Sequence, residues 1–105
     1  MVRRKANAVL LSDRDNVAVA LDDIEQNTVV RVRKGDQILK VQADEDIPFA
    51  HKFAITNVQK GHPIYKYGEI IGKATRAIGS GQHVHVHNVE GMRGKVNSWK
   101  TEQRI

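Results

Sequence analysis

The chain of 105 residues contains no cysteine, only two prolines and few aromatic side chains, which make up 5% of the sequence. The absence of cysteine excludes disulfides, thiolate metal sites and cysteine nucleophiles. No apolar run reaches the length of a membrane span or of a signal-peptide core, so we expect a cytoplasmic protein without a membrane partner. A chain of this length is expected to form one domain with a modest core.

Positive charge exceeds negative charge only near the two ends of the chain. The formal net charge is +5, yet residues 6–88 hold ten basic and ten acidic side chains. A neutral body argues against a surface dedicated to nucleic acid, so the basic ends are either solvated tails or sites that attract an acidic partner or an anionic substrate. We predict a basic N-terminal segment over 1–7, a folded domain over 8–89 and a basic tail over 90–105.

Short apolar segments separated by turn residues predict a mainly β fold. Strands are expected at residues 8–11, 17–21, 28–33 and 37–41, and the last two flank Gly35 in a predicted hairpin. Residues 65–74 are expected to form two short strands that turn near Gly68. Together these segments predict a single all-β domain rather than a helical one.

A weak internal repeat supports this assignment. Three segments each place an apolar residue and a short turn before a residue that tolerates left-handed backbone angles; the pairs are Ile24 and Asn27, Val58 and Gly61, and Ile78 and Gly81. Each is expected to end a single helical turn before a strand. Because the copies are unequally spaced, we predict a compact, barrel-like fold and not a solenoid.

Three histidines alternate with two valines in residues 81–88 (GQHVHVHN). Alternation predicts a strand, with His83, His85 and His87 on one face and both valines buried. Neighbours on one strand face are roughly 6.5–7 Å apart, so two rings can share an ion or substrate, but the outer pair cannot unless the strand bends. Proton transfer or metal binding competes here with a solvated polar face.

Two other regions contain candidate site residues. His51 and Lys52 follow Pro48 at a predicted junction of loop and strand, where a rigid approach can fix polar groups; an exposed basic pair is the alternative. His62 lies in the turn of the second repeat and is interpreted as structural. Two tyrosines at period two are expected to be half-buried on one strand face, from which a hydroxyl can approach the histidines; they are Tyr65 and Tyr67.

Three motifs in order resemble the SAF-type domain of the altronate and galactarate dehydratase family. They are residues 47–52 (IPFAHK), 67–74 (YGEIIGKA) and 81–88 (GQHVHVHN), and the likeness covers roughly residues 8–89. Three ordered motifs are more specific than any one of them. The family usually has glycine before the His-Lys pair, where this chain has Ala50, so a differently turned backbone is expected there.

The resemblance implies a SAF-type β-clip fold and the elimination of water, or of sulfite, from a 2-hydroxy carboxylate. It also implies a divalent metal cofactor such as iron or manganese. In that family the domain is either the N-terminal part of a long enzyme or a separate small subunit, as in sulfolactate sulfo-lyase. We predict the small subunit of a two-chain hydro-lyase of carbohydrate-acid metabolism, inactive without its large catalytic subunit.

The predicted site follows from the chemistry of such an elimination, which needs a base, an acid and positive charge near a carboxylate. We predict His51, Lys52 and His85 as catalytic residues and His83, His85 and His87 as metal ligands. The sequence leaves open which histidine is base, acid or ligand. It also leaves open a non-catalytic module that binds an acidic sugar or a partner protein. Alone, the chain is expected to self-associate or to expose apolar surface.

Overall fold

A computed structural model describes residues 6–91, which form nine short β-strands and no helix. The predicted mainly β fold is confirmed. No helix in this part of the chain is therefore long and apolar enough to cross a membrane. The strands are β1 (Ala8–Val9), β2 (Val17–Ala20), β3 (Val29–Lys34), β4 (Gln37–Gln42), β5 (Lys52–Ala54), β6 (Pro63–Lys66), β7 (Glu69–Ala74), β8 (His83–Val84) and β9 (Val89–Gly91).

The strands form two open sheets, so "barrel-like" is too loose a description of the fold. The larger sheet has the order β4-β3-β1-β2-β5-β8, and the smaller has the order β6-β7-β9. Only β1 and β3 pair in parallel; the other pairs are antiparallel. Both predicted hairpins are present, β3–β4 and β6–β7, with positive φ at Gly35 and Gly68.

The chain makes the same corner four times, once more than the sequence indicated. Each corner is a tight turn with a left-handed residue at its end, at residues 24–27, 47–50, 58–61 and 78–81; the left-handed residues are Asn27, Ala50, Gly61 and Gly81. The turns close by a hydrogen bond to the carbonyl three residues earlier, as from His51 N–H to Pro48 O at 3.0 Å. They are β-turns, and the expected helical turns are absent from the described residues.

Ala50 does not turn the backbone differently from its counterparts. Its φ is 70°, close to the 73° of Asn27 and the 88° of Gly61 and Gly81. Alanine in this region costs about 1–2 kcal/mol, so the surrounding hydrogen bonds must hold the turn. The fourth corner was missed in the sequence because alanine is not a residue type that marks left-handed angles.

The corners are paired through backbone hydrogen bonds to buried alanines. The N–H of each left-handed residue donates to an alanine carbonyl at 2.7–2.9 Å, and the same alanine donates back to the residue that follows the turn. The pairs are Asn27 with Ala43, Ala50 with Ala20, Gly61 with Ala74 and Gly81 with Ala54. Isolated bridges between Ile24 and Ile47, and between Val58 and Ile78, complete the two corner pairs. The four segments therefore share the spacing Ala-x3-Ile/Val-x2-Asn/Ala/Gly.

Side chains cap three of the four corners. Asp46 accepts from Gln26 N–H and Asp23 from Phe49 N–H, both at 2.8 Å. Asn57 accepts from Ser80 N–H at 2.9 Å. Each capping residue immediately precedes the bridging Ile or Val of the partner corner. At the fourth corner this position is occupied by exposed Ala77, which has no oxygen to offer to Lys60 N–H.

Each pair of corners has its own hydrophobic core. The first core contains Ile24 and Ile47 together with Phe53, and the second contains Val58 and Ile78 together with Ala54, Val84 and other apolar residues. Phe53 and Ala54 are adjacent on β5, so the two cores meet along this strand. The pairing of β5 with β8 lies at this junction.

Two sequence expectations differ from the structure, and a third is not tested by it. The strand expected over residues 81–88 ends at Val84, which is buried, and the chain then turns, so that Val86 is 66% exposed. Tyr67 is not on a strand face with Tyr65; it lies at the tip of the β6–β7 hairpin and is 72% exposed. The predicted basic segments over 1–7 and 90–105 lie almost entirely outside the described residues.

Candidate active site

Two corners bring the candidate histidines together. The corner at 47–50 leads into His51 and β5, and the corner at 78–81 leads into β8, which begins with His83. Strands β5 and β8 pair antiparallel, with Lys52 opposite Val84 and Phe53 opposite His83. His51 and His83, which are far apart in sequence, are therefore placed at the same edge of the large sheet.

The imidazole rings form a stacked cluster that is half-exposed to solvent. His51 Nδ1 lies 2.9 Å from His83 Nε2, a hydrogen bond in which one ring donates and the other accepts. The centroid of the His51 ring lies 5.0 Å from that of His83 and 4.8 Å from that of His85. The His83 and His85 rings are nearly parallel at 11°, with centroids 5.4 Å apart. The site is thus a compact three-histidine cluster, which we call the imidazole cluster: His51, His83 and His85.

The cluster differs from the predicted ligand set, His83, His85 and His87. His51 takes the third place, because the strand ends after Val84 and the chain turns away. His87 still approaches His83, with centroids 5.5 Å apart, but the rings are tilted by 38°. His83 and His87, the outer pair of the row, therefore come close because the chain bends after β8, whereas a regular strand would keep them apart. His87 lies beside the cluster rather than within it.

The turn after β8 is held by the buried side chain of Asn88. Its Nδ2 donates to the carbonyl of His83 at 2.8 Å, and its Oδ1 accepts from His85 N–H at 2.9 Å. The backbone N–H groups of Asn88 and Val89 both donate to His85 O at 3.1 Å. The Asn88 amide thus forms the two hydrogen bonds that a neighbouring strand would form elsewhere in the sheet.

Lys52 is buried, with only 6% of its surface exposed, and is not half of an exposed basic pair. Desolvation by burial, together with the smaller effect of the Lys66 charge, lowers the pKa of Lys52 to about 8. No carboxylate among residues 6–91 forms an ion pair with its ammonium. Its charge also lowers the pKa of His85, which places the two groups near each other. Lys52 is thus a cation that an anionic ligand would neutralise.

His83 and His85 are biased towards the neutral form. Burial is the main cause that lowers the pKa of both His83 and His85, and the neighbouring histidines add to it. The carboxylate of Glu45, which accepts from His83 N–H at 2.7 Å, acts in the opposite direction on His83. Neutral imidazoles accept protons and bind metal ions, so both predicted kinds of chemistry are available near neutral pH.

The donor set fits a divalent metal ion. One ring nitrogen from each of His51, His83 and His85 lies within 4.8 Å of the other two. Two nitrogens bound at about 2.1 Å to a tetrahedral ion are about 3.4 Å apart, so small ring rotations suffice. Three protein ligands also leave positions open for water or substrate, as in catalytic metal sites.

The remaining candidates lie elsewhere. His62 is exposed in the turn of the corner at 58–61, at the position that His51 occupies in its own corner. Tyr65 is half-buried under the guanidinium of Arg14, whose carbon lies 5.7 Å from the ring centroid. Asp15 is buried and accepts from the N–H groups of Tyr67 and Gly68 at 3.0 and 2.8 Å, so this carboxylate supports a hairpin of the smaller sheet.

Sequence reasoning assigned no role to Asn88 or Glu45, whose side chains form hydrogen bonds with the backbone of His83 and His85. A signal for Asn88 was present, since asparagine directly after an alternating run is a residue that ends strands and bonds to nearby backbone. Glu45 gave no such signal, because its contact with His83 spans 38 residues.

Comparison with known proteins agrees with the motifs at this site. Residues 6–92 match the family model described as the altronate/galactarate dehydratase SAF domain. The chain is 45% identical to the altronate dehydratase of Escherichia coli (strain K12) over 74 residues, which are 70% of this chain and 14% of that protein. It is 33% identical over 76 residues to the galactarate dehydratase (L-threo-forming) of the same strain, covering 72% of this chain and 14% of the relative.

A shorter relative is the (2R)-sulfolactate sulfo-lyase subunit alpha of Chromohalobacter salexigens. It is 38% identical over 55 residues, which are 52% of this chain and 58% of the relative. The chain thus spans about one seventh of the dehydratases it matches and more than half of this subunit. The match over residues 6–92 covers most of the sequence, and the chain belongs to the family of altronate/galactarate dehydratase SAF domains.

Proposed function

We propose that this chain is the small subunit of a cytoplasmic two-chain lyase that eliminates water from a 2-hydroxy sugar acid. The observation that carries the proposal is the convergence of His51, His83 and His85 at the β5–β8 edge, from two of the three motifs that resemble the dehydratase family, with the charge of Lys52 acting on His85. Its relatives include two dehydratases and a sulfo-lyase subunit. Each of these names describes an elimination reaction.

Each group at the edge has a part in such a reaction. A neutral imidazole of His51 or His85 can take the proton next to the substrate carboxylate, and another can return one to the departing hydroxyl. The buried ammonium of Lys52 would bind the carboxylate and stabilise the charge that develops on it. If His51, His83 and His85 instead hold a divalent ion, their lone pairs are engaged; the ion would polarise substrate oxygens as a Lewis acid, and the proton would be taken by a group outside these three.

The large subunit would enclose the substrate. General acid and base groups contribute about 10²–10⁴-fold each, and a half-exposed cluster cannot exclude water by itself. Phe49, two residues before His51, is 61% exposed, and Val86, between His85 and His87, is 66% exposed. These apolar side chains are in place to pack against a partner, and the basic segments at 1–7 and 90–105 would add attraction to an acidic surface.

Reconstitution with the large subunit tests the proposal. The isolated chain should show little or no lyase activity, whereas the complex should dehydrate a sugar acid such as altronate. His51→Asn and His85→Asn should each lower the turnover number by about 10²-fold or more. His62→Asn is the matched control, since His62 holds the equivalent place in a corner outside the cluster, and it should leave turnover unchanged. Full turnover with both cluster histidines replaced would contradict the catalytic assignment and would indicate that the domain is a scaffold or recognition module.

A second candidate is the corresponding subunit of a sulfolactate sulfo-lyase, which would release sulfite. The specific support is the coverage of the alpha subunits, of which this chain matches 58% in one case and 73% in another. Assaying the same complex with altronate, galactarate and sulfolactate separates the two candidates. Binding of a sugar acid without turnover of any of the three would favour the non-catalytic module.

A further inference from the structure

The loop that follows β8 departs from strand geometry at the point where the cluster forms. A regular strand would separate His83 and His85 by roughly 6.5–7 Å, with the rings free to diverge. Instead the ring centroids lie 5.4 Å apart and the planes differ by 11°. Because β8 ends at Val84 and the chain turns over residues 85–88, the backbone of this turn sets how the two rings meet.

The Asn88 amide is the group that holds it. His83 C=O and His85 N–H would point to a neighbouring strand if β8 continued, but β8 is the edge strand of its sheet. Nδ2 and Oδ1 of Asn88 satisfy these two groups at 2.8 and 2.9 Å, so one side chain bridges both ends of Val84. Asn88 is 4% exposed, and its bonds are therefore sheltered from competing water.

Asn88 is itself anchored on both sides. Its backbone N–H donates to His85 O, and its carbonyl accepts from Thr75 N–H at 2.9 Å. Arg76 donates to the carbonyl of His87 at 3.2 Å. Asn88 is therefore held by the loop that follows β7 as well as by the carbonyl of His85.

We propose that Asn88 is the positioning residue of the site, whose amide fixes the spacing of His83 and His85. The part of this inference that concerns metal affinity rests on the proposed function, whereas the part that concerns ring spacing does not. An amide is needed because the loop presents one acceptor and one donor to a single side chain. Aspartate would keep the bond to His85 N–H but would oppose an oxygen to His83 C=O.

Two measurements on Asn88→Ala test the assignment, with Asn57→Ala as the matched control. The amide oxygen of Asn57 also accepts from a backbone N–H, that of Ser80 at 2.9 Å, so its loss removes a side-chain cap and leaves both bonds of Asn88 to the histidine loop in place. The first measurement is the nuclear Overhauser effect between the His83 and His85 ring protons in metal-free protein. The second is the affinity for Co²⁺, followed by its visible absorption.

Asn88→Ala should abolish the ring-to-ring effect and weaken Co²⁺ binding by about 10–100-fold, as for other residues that orient metal ligands, while Asn57→Ala should preserve both. Equal losses in the two variants, or an unchanged ring contact in Asn88→Ala, would overturn the proposal. Should Asn88→Ala fail to fold, Asn88→Asp replaces it, and a retained ring contact there would also overturn it. A wild-type chain that binds no Co²⁺ would defeat the metal role, and the ring contact would still decide the role of Asn88.

Discussion

The uncapped corner at residues 58–61 offers a sharp test of the fourfold repeat. In the other three corners a side-chain oxygen accepts from a backbone N–H at 2.8–2.9 Å. The equivalent N–H in this corner belongs to Lys60, and the residue in the capping position is Ala77. Across the Val58–Ile78 bridge, Asn57 caps the partner corner. Replacing Ala77 with the same residue type, Asn, should therefore supply the missing hydrogen bond to Lys60 N–H.

The expected gain follows from the exposure of the site. A side-chain hydrogen bond contributes about 0.5–1.5 kcal/mol to stability, and an exposed asparagine loses some rotamer entropy when it is fixed. Ala77→Asn should therefore raise the free energy of unfolding by about 0.5–1 kcal/mol. In a domain of this size that corresponds to a rise in Tm of roughly 2–8 °C.

Urea and thermal unfolding followed by circular dichroism would measure the change. Asn57→Ala is the converse variant and should lose about 1 kcal/mol. Ala77→Gln carries the same amide on a side chain one methylene longer, which places it beyond the N–H, and should be close to neutral. The reasoning fails if Ala77→Gln stabilises as much as Ala77→Asn, or if Ala77→Asn has no effect although Asn57→Ala is destabilising.

Three further outcomes are expected. Gly61 and Gly81 share a φ of 88°, but an added Cβ would meet nothing within 4 Å at Gly61 and would clash with the Gln42 carbonyl at Gly81. In urea unfolding, substitution by alanine should therefore lower the free energy of unfolding by about 1 kcal/mol at Gly61 and by roughly 2–4 kcal/mol at Gly81. Equal losses at the two positions would contradict this prediction. Ala50→Gly should stabilise by about 0.5–1 kcal/mol, because it relieves a left-handed alanine against a smaller entropic loss; a lower urea midpoint would speak against it. The pKa of Lys52 is about 8 when folded and 10.5 when unfolded, so the stability of metal-free protein should rise between pH 8 and 10.5 as the ammonium loses its proton. Lys52→Met should remove this rise and should be roughly 1–2 kcal/mol more stable than wild type at pH 7, after allowance for water access. A variant with the same pH profile of stability as wild type would refute the buried charge.

The sequence was sufficient for the fold class because its turns are marked by residue type. The two hairpins were predicted from Gly35 and Gly68. Three of the corners were predicted from Asn27, Gly61 and Gly81. Ala50 concealed the fourth, since a left-handed alanine is set by backbone bonds to Ala20 that only the folded chain supplies. The alternation of histidine and valine likewise predicted the burial of both valines, which is correct for Val84 and wrong for Val86.

The candidate site was less accessible from the sequence for a physical reason. Periodicity describes neighbours along one strand, whereas the cluster joins two strands. His51 reaches His83 through the β5–β8 register, and nothing local in residues 47–52 encodes that pairing. The burial of Lys52 has the same origin, because Val19 and Val84 face it from either side in the sheet.

The two corner pairs, each with its own core, divide the molecule into halves of similar plan. His51 follows a corner of the first half, and His83 and His85 follow a corner of the second, so neither half holds the complete set of donors. Had such a protein arisen by duplication of one half, the imidazole cluster would have been a property of the joined product alone. Any shift in the relative placement of the two halves would separate the rings of His51 and His83, which come from different halves.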